Sequence, residues 1–269
     1  MPAKSPPDSI LLISDLHLEP ARPELVRAFL DFLELIARGP LENAVDGALN
    51  TTASGTCALY ILGDFFNVWI GDDDDAPLGR EISQALKKLS DSGTAVYLLH
   101  GNRDFLLGER YARECGATLI HEPFILENGR QQFLLMHGDA LCTRDTDYMA
   151  FRAMVRDPTW QQDFLARPLA ERRAYADQAR AHSKTMSSNK PDDIMDVTPD
   201  EVVRVLVQQG VTTLIHGHTH RPAVHDLKLS GKPGVRIVLG DWQDFGWFVR
   251  IAAGKAVLHS LDLSAGHSL

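Results

Sequence analysis

Ile10-Leu11-Leu12-Ile13-Ser14-Asp15-Leu16-His17 runs four apolar residues into a serine, a carboxylate and an imidazole. So short an apolar run, bounded by polar residues, fits a strand covered on both faces better than a helix, which needs more length. The pattern recurs in Leu59-Tyr60-Ile61-Leu62-Gly63-Asp64, Val96-Tyr97-Leu98-Leu99-His100-Gly101-Asn102, Phe133-Leu134-Leu135-Met136-His137 and Leu214-Ile215-His216-Gly217-His218-Thr219-His220. Strands of one sheet lie about 4.8 Å apart. Groups just past their C-terminal ends therefore converge on a shared rim, however far apart they stand in sequence.

Each run ends in a residue able to hold a metal. Taken singly, Asp15 or Asp64 after a strand reads as a turn former or helix cap, and His137 as a structural histidine. Gly217-His218-Thr219-His220 resists that account, because alternate histidines around a glycine bend suit ligation better than packing. Five such endings together decide the matter. Two ions about 3.5–4 Å apart need roughly seven or eight donors, with one carboxylate bridging. Asp15, His17, Asp64, Asn102, His137, His218 and His220 meet that count. The pattern predicts a two-metal hydrolase.

The order Asp-x-His, Gly-Asp, Gly-Asn-Arg-Asp, His-Gly-Asp, Gly-His-Thr-His resembles the calcineurin-like metallophosphoesterase superfamily, from Ile10 to about Leu261. Finer features are similar to one branch of it, the UDP-2,3-diacylglucosamine pyrophosphohydrolases, manganese enzymes of lipid A synthesis. These are Ser14-Asp15-Leu16-His17-Leu18, Gly63-Asp64-Phe65-Phe66 leading to Trp69-Ile70-Gly71-Asp72-Asp73, Gly101-Asn102-Arg103-Asp104-Phe105, His137-Gly138-Asp139 with Leu141-Cys142-Thr143, Ile194-Met195-Asp196-Val197, and His216-Gly217-His218-Thr219-His220-Arg221-Pro222.

The resemblance implies an α/β fold: a sandwich of two mixed β-sheets flanked by helices, with a helical lid insertion. It implies two Mn²⁺, one held by Asp15, His17, Asp64 and His220 and the other by Asp64, Asn102, His137 and His218, with Asp64 as the bridge. Hard oxygens and imidazoles without a thiolate agree, since they suit Mn²⁺ and similar ions better than a structural zinc. Each ion polarises a phosphoryl oxygen, and a water between them loses its proton near neutral pH. Asp64, His218 and Arg103 are the expected catalytic residues.

Arg103 discriminates most. Many relatives in the superfamily carry a histidine after the motif asparagine, where it is thought to protonate an alcohol leaving group. Arginine stays charged and cannot. A phosphate leaving group, with a second pKa near 6, departs without a proton. Arg103 thus fits cleavage of a phosphoric anhydride, its planar fork stabilising equatorial charge. A surface arginine in a loop is the plainer reading.

The chain has 269 residues, 44% of them apolar, and no internal repeat, enough to bury one large core. We expect a single domain over 1–269. A net charge of −9 and a pI near 5.6 argue against a nonspecific grip on nucleic acid, which needs a basic field. Cys57, Cys115 and Cys142 lack Cys-x-x-Cys spacing, as expected in a reducing cytoplasm, and read as packing residues. The N-terminus does not look like a signal peptide, and no stretch nears ~18 uninterrupted apolar residues. A soluble or peripheral protein is expected.

Leu25, Phe29, Phe32, Leu33 and Ile36 stand at helical spacing within Glu24 to Arg38, and Arg80 to Leu89 reads as another helix. Gly39 to Thr56, polar and rich in Ala, Thr and Gly, reads as a lengthened surface loop. Val235 to Leu239, Trp247 to Ile251 and Ala256 to Leu261 read as antiparallel strands closing a second sheet. Asp72 to Asp75 reads as a turn and helix cap, His100 and His216 as residues that at most orient ligands, and Arg221-Pro222 as a stiff exit.

The helical insertion spans 144–195. From Arg144 to Lys190 it carries nine Lys or Arg against six Asp or Glu, basic within an acidic chain. Following a metal-binding residue, it is placed to overhang the site. Its Tyr148, Phe151, Met154, Val155, Trp160, Phe164 and Leu165 fit either a core seam or a cleft for two acyl chains. The resemblance puts substrate contacts at Asp145, Ser183 and Lys190, joined by Asn102, Arg103 and His218. An asparagine expected four residues after the serine is Ser187 here, with Asn189 two positions later, and both remain candidates.

The implied reaction is hydrolysis of UDP-2,3-diacylglucosamine at the uridine-side phosphorus, giving UMP and 2,3-diacylglucosamine 1-phosphate, at the cytoplasmic face of a bacterial inner membrane. No nucleic-acid or obligate protein partner is inferred. A soluble nucleotide pyrophosphatase or phosphodiesterase would present a similar rim. A noncatalytic scaffold would show eroded ligands, and none is missing.

Overall fold

The computed structural model describes residues 9–39, 57–187 and 196–263, the side chains of 182–187 excepted. Strand β1 (Ser9–Ile13) is buried at all five positions. Its side chains alternate between two cores, as the two-residue period of a strand requires. Leu11 and Ile13 pack toward helices α1 (Pro23–Ala37) and α2 (Pro77–Asp91), while Ile10 and Leu12 face a second sheet. That double burial is why the sequence shows an unbroken apolar run.

Strands β2 (Cys57–Leu62), β3 (Ala95–Leu99) and β4 (Ala117–Ile120) continue parallel from β1, with α3 (Glu109–Glu114) before β4. On the other side β10 (Phe245–Ala252) pairs antiparallel with β1 and with β11 (Lys255–Asp262), completing the order β11-β10-β1-β2-β3-β4. The second sheet is β5-β6-β7-β9-β8, from β5 (Phe124–Asn128), β6 (Gln131–Leu135), β7 (Thr213–His216), β8 (Ala223–Leu229) and β9 (Lys232–Val238). Its inner face gives Phe133, Leu135, Ile215 and Ile237 to the inter-sheet core. Its outer face gives Leu134 and Leu214 to helix α7 (Pro199–Gln209), through Val202, Val205 and Leu206. The fold is thus α/β, two mixed sheets stacked face to face and flanked by helices.

Two expectations need correction. The segments around Trp247 and Ala256 form β10 and β11, which extend the first sheet, and only the segment around Val235 joins the second. It does so as β9, parallel to β7 and antiparallel to β8. Second, the five apolar runs split, with β1, β2 and β3 in one sheet and β6 and β7 in the other. Strand period reports burial on two faces and is blind to which sheet supplies the cover. The shared rim is the edge where both stacked sheets end.

Between β6 and α7 the chain makes a short 3-10 turn (Asp139–Leu141) and three helices, α4 (Thr146–Val155), α5 (Pro158–Leu165) and α6 (Leu169–Ser187). Asp145 caps α4 by accepting from Tyr148 N–H, and Asp157 caps α5 through Thr159 and Trp160 N–H. The loop expected over 39–56 lies outside the described residues beyond Gly39.

Candidate metal centre

Asp15 and Asp64 leave the ends of β1 and β2 with φ of 56° and 49°, and His17, His218 and His220 also take positive φ, at 49°, 68° and 55°. Among the described residues only Ser230 and Ala253 join them as non-glycine residues in that region. Left-handed backbone costs an ordinary residue about 1–3 kcal/mol and persists where the surroundings enforce it. Here it turns five polar side chains inward at one edge. Two glycines make room: a Cβ on Gly101 would stand 2.2 Å from Asp64 Oδ1, and one on Gly217 2.1 Å from Asp15 Oδ2.

The side chains form two groups. In the first, His17 Nε2 lies 3.1 Å from His220 Nε2, and His220 Nε2 lies 3.4 Å from Asp15 Oδ1. In the second, Asn102 Oδ1 lies 3.0 Å from His137 Nε2 and 2.8 Å from His218 Nδ1. Asp64 stands between them. Its Oδ2 is 3.8 Å from His17 Nδ1, and its Oδ1 is 3.7 Å from His137 Nε2. Asp15 is also central, since its ligand atoms group with those of His17 and His220 and with those of Asp64 and His137, each set within 4.8 Å.

This donor set fits divalent cations. Among the described residues Asp15 Oδ1 and His17 Nδ1 are buried and meet no hydrogen-bond partner, which a protein rarely tolerates. His137 Nδ1 donates to the Leu62 carbonyl at 2.9 Å, which fixes the ring with Nε2 facing Asn102 and Asp64, as a ligand's atom should. Asp241 Oδ2 sits 3.5 Å from His220 Nδ1, orienting that ring. Charge crowding points the same way. Burial pushes Asp64 up to about 7, with the charges of Asp104 and Asp15 adding to it against the pull of His137 and Arg103. Burial alone would lower His137, but Asp64, Asp15, Asp139 and Glu122 together lift it to about 9. Burial, then the charge of His137, pushes His218 down to about 4.

Arg103 leans over the rim. Its Nε is 3.5 Å from Asp64 Oδ2, its Nη1 donates to Asn67 Oδ1 at 2.6 Å, and Asn67 in turn donates to Glu19. Beside it opens a cleft of about 850 Å³, lined by Asn102, Arg103 and Asp145 and by Trp69, Phe151 and Trp160. Most of the apolar residues of the insertion take one or both of the roles foreseen for them, while Met154 and Leu165 are exposed and outside the cleft lining. Val155 and Phe164 are buried, Phe164 and Trp160 packing on the main core, while Tyr148, Phe151, Trp160 and Phe164 also line the cleft. Lys190 and the side chains of Ser183 and Ser187 lie outside the described residues.

Sequence reasoning gave no role to several residues that hold this site. Asp104 accepts from the backbone N–H of Gly101, Asp64, Phe65 and Phe66, tying the β2 and β3 exits together. Glu122 and Asp139 flank His137, and Asn67 holds Arg103. Asp104 and Asp139 stood inside quoted motifs, the one available signal. The run Asp72 to Asp75 does more than turn the chain. Asp72 accepts from Trp69 Nε1 and from Gly108 and Tyr111 N–H, Asp73 pairs with Arg172, and Asp74 and Asp75 pair with Arg173.

Residues 9–222 match the family model described as calcineurin-like phosphoesterase. This chain belongs to that family of metal-dependent phosphoesterases. Within it, the chain is 53% identical over 253 residues to the UDP-2,3-diacylglucosamine hydrolase of Cellvibrio japonicus, covering 94% of this chain and 99% of that one. It is 51% identical to the protein of that name from Chromohalobacter salexigens, covering 90% of this chain and 92% of that one. With the same name from Pseudomonas entomophila the identity is 49%, covering 90% and 94%.

Proposed function

We propose that this protein hydrolyses the pyrophosphate bond of UDP-2,3-diacylglucosamine, giving UMP and 2,3-diacylglucosamine 1-phosphate in lipid A biosynthesis. One observation carries the reading: a cleft walled by Trp69, Phe105, Phe151, Trp160 and Phe164 opens on the rim where Asn102 and Arg103 meet the metal-binding side chains. An apolar trough beside a phosphoester centre suits a substrate with acyl chains at one end and a diphosphate at the other. The names of the relatives agree.

Asp15, His17, Asp64 and His220 would hold one divalent ion, and Asp64, Asn102, His137 and His218 a second; we read them as Mn²⁺. When bound, such a pair polarises phosphoryl oxygens and supplies an activated water. Arg103, fixed by Asn67, presents its guanidinium to the charge that gathers on the phosphoryl oxygens. It withholds any proton from the departing sugar phosphate, which needs none. We place the attack at the uridine-side phosphorus.

Because that substrate carries acyl chains, we read the protein as a peripheral enzyme at the cytoplasmic face of the bacterial inner membrane. Among the described residues no helix is long and apolar enough to cross a membrane. The basic insertion and its apolar edge are the surface we assign to that contact. The reaction is tested with protein, Mn²⁺ and lipid substrate in ¹⁸O-water. Label is expected in UMP; label in the lipid phosphate overturns the site of attack, and faster turnover of soluble dinucleotides overturns the substrate.

A further inference from the structure

Helix α4 and its C-cap residue carry Arg152 and Arg156 four residues apart, hence on one face. Both point at the rim. Arg152 forks between two carboxylates: Nη2 donates to Glu122 Oε1 at 2.6 Å and Nε to Asp139 Oδ2 at 2.8 Å. Glu122 passes the restraint on, its Oε2 accepting the backbone N–H of His137 at 2.9 Å. Asp139, fully buried two residues beyond His137, is held further by Tyr148 Oη at 2.6 Å. Arg152 therefore joins the carboxylate that holds the His137 backbone N–H to one fixed two residues further along the same chain segment.

Arg156 does the corresponding thing for Asn102. Its Nη2 donates to the carbonyl of Gly101 at 2.9 Å, immediately before that residue. His137 and Asn102 belong to the same half of the centre. Among the described residues no hydrogen bond or ion pair runs from α4 or Arg156 to Asp15, His17 or His220.

We propose that Arg152 and Arg156 are positioning residues that set the geometry of the His137–Asn102 half of the metal centre, making the insertion a strut of that half-site as well as a wall of the cleft. The inference rests on the two-ion reading above. A planar guanidinium is suited to it, since one rigid fork fixes the spacing of two carboxylates that would otherwise repel. Groups that hold ligands in this way commonly change metal affinity by about 10- to 100-fold when removed.

The test is Mn²⁺ titration of metal-free protein by calorimetry, with the magnetic coupling of the bound pair read by electron paramagnetic resonance. Wild type should bind two equivalents. R152A and R156A should each keep the first binding event unchanged, weaken the second by about tenfold or more, and lose the coupled signal at limiting metal. R156K should regain most of the second event, because a single ammonium reaches one carbonyl. R152K should recover less, because it cannot fork. R173A, on α6 and paired with Asp74 and Asp75 instead of the rim, should titrate like wild type. Two unchanged events in R152A and R156A overturn the inference and leave the two-ion reading standing, as does equal weakening of both events with intact circular dichroism. A single equivalent in wild type overturns the two-ion reading itself. If R152A does not fold, R156A, which removes one carbonyl contact and a longer pairing with Asp139 at 4.0 Å, decides.

Discussion

Asp104 shows how much a single buried carboxylate holds here. Its oxygens take the N–H groups of Gly101 at 2.7 Å, Phe65 at 2.7 Å, Asp64 at 3.3 Å and Phe66 at 3.4 Å. Removing the acceptor leaves those donors buried and unmet, at about 1–3 kcal/mol for each bond truly lost. Asp104→Ala should therefore lose about 3 kcal/mol or more in urea denaturation, while Asp104→Asn, which retains an acceptor oxygen, loses less. The cysteines lie at the opposite extreme of reactivity. Burial pushes Cys57, Cys115 and Cys142 up to about 12. Near pH 8 such a thiol is ionised to about one part in ten thousand, so a thiolate-specific reagent should label none of the three in native protein and all of them in guanidinium. Labelling of the folded chain within minutes would contradict that burial. At this scale the candidate ligands could be picked out because chemistry restricts which residues can bind metal. Glu122, Asn67 and Asp241 were not, because an acidic or amide residue acquires an orienting role only from what folding places beside it.

Among the elements, helix α6 is tied down by adjacent arginines of unlike kind. Arg172 is 1% exposed and donates to the carbonyls of Ile70 at 2.6 Å and Arg167 at 3.0 Å as well as to Asp73. Arg173 reaches Asp74 and Asp75 in solvent. Exposed pairs contribute little, whereas a buried guanidinium leaves its acceptors stranded when removed. Arg172→Ala should destabilise by about 2 kcal/mol and expose α6 to limited proteolysis, and Arg173→Ala should change neither measurably. The buried strands β1, β2, β3, β6 and β7 and the amphipathic helices α1 and α2 could be read from period. Strand β8 could not, because as an edge strand it alternates partly buried and exposed positions through Asp226 and Lys228. The short helix α3 escaped because six residues give too little period to count.

Across the whole molecule, the stacking of two sheets brings residues as distant as Asp15 and His220 within 3.4 Å, and helices α4, α5 and α6 help wall a cleft beside them. Period predicts strands but not partners, which is why β10 and β11 were assigned to the wrong sheet: pairing is decided by long-range packing that no local window contains. The proposed hydrolysis depends on the rim gathering two ions. Anomalous diffraction at the manganese edge, from crystals grown with excess Mn²⁺, tests this most directly. Two peaks about 3.5–4 Å apart, with Asp64 between them and Asp15, His17, Asn102, His137, His218 and His220 around them, are the predicted result. A lone peak, or ions bound away from these side chains, would contradict it.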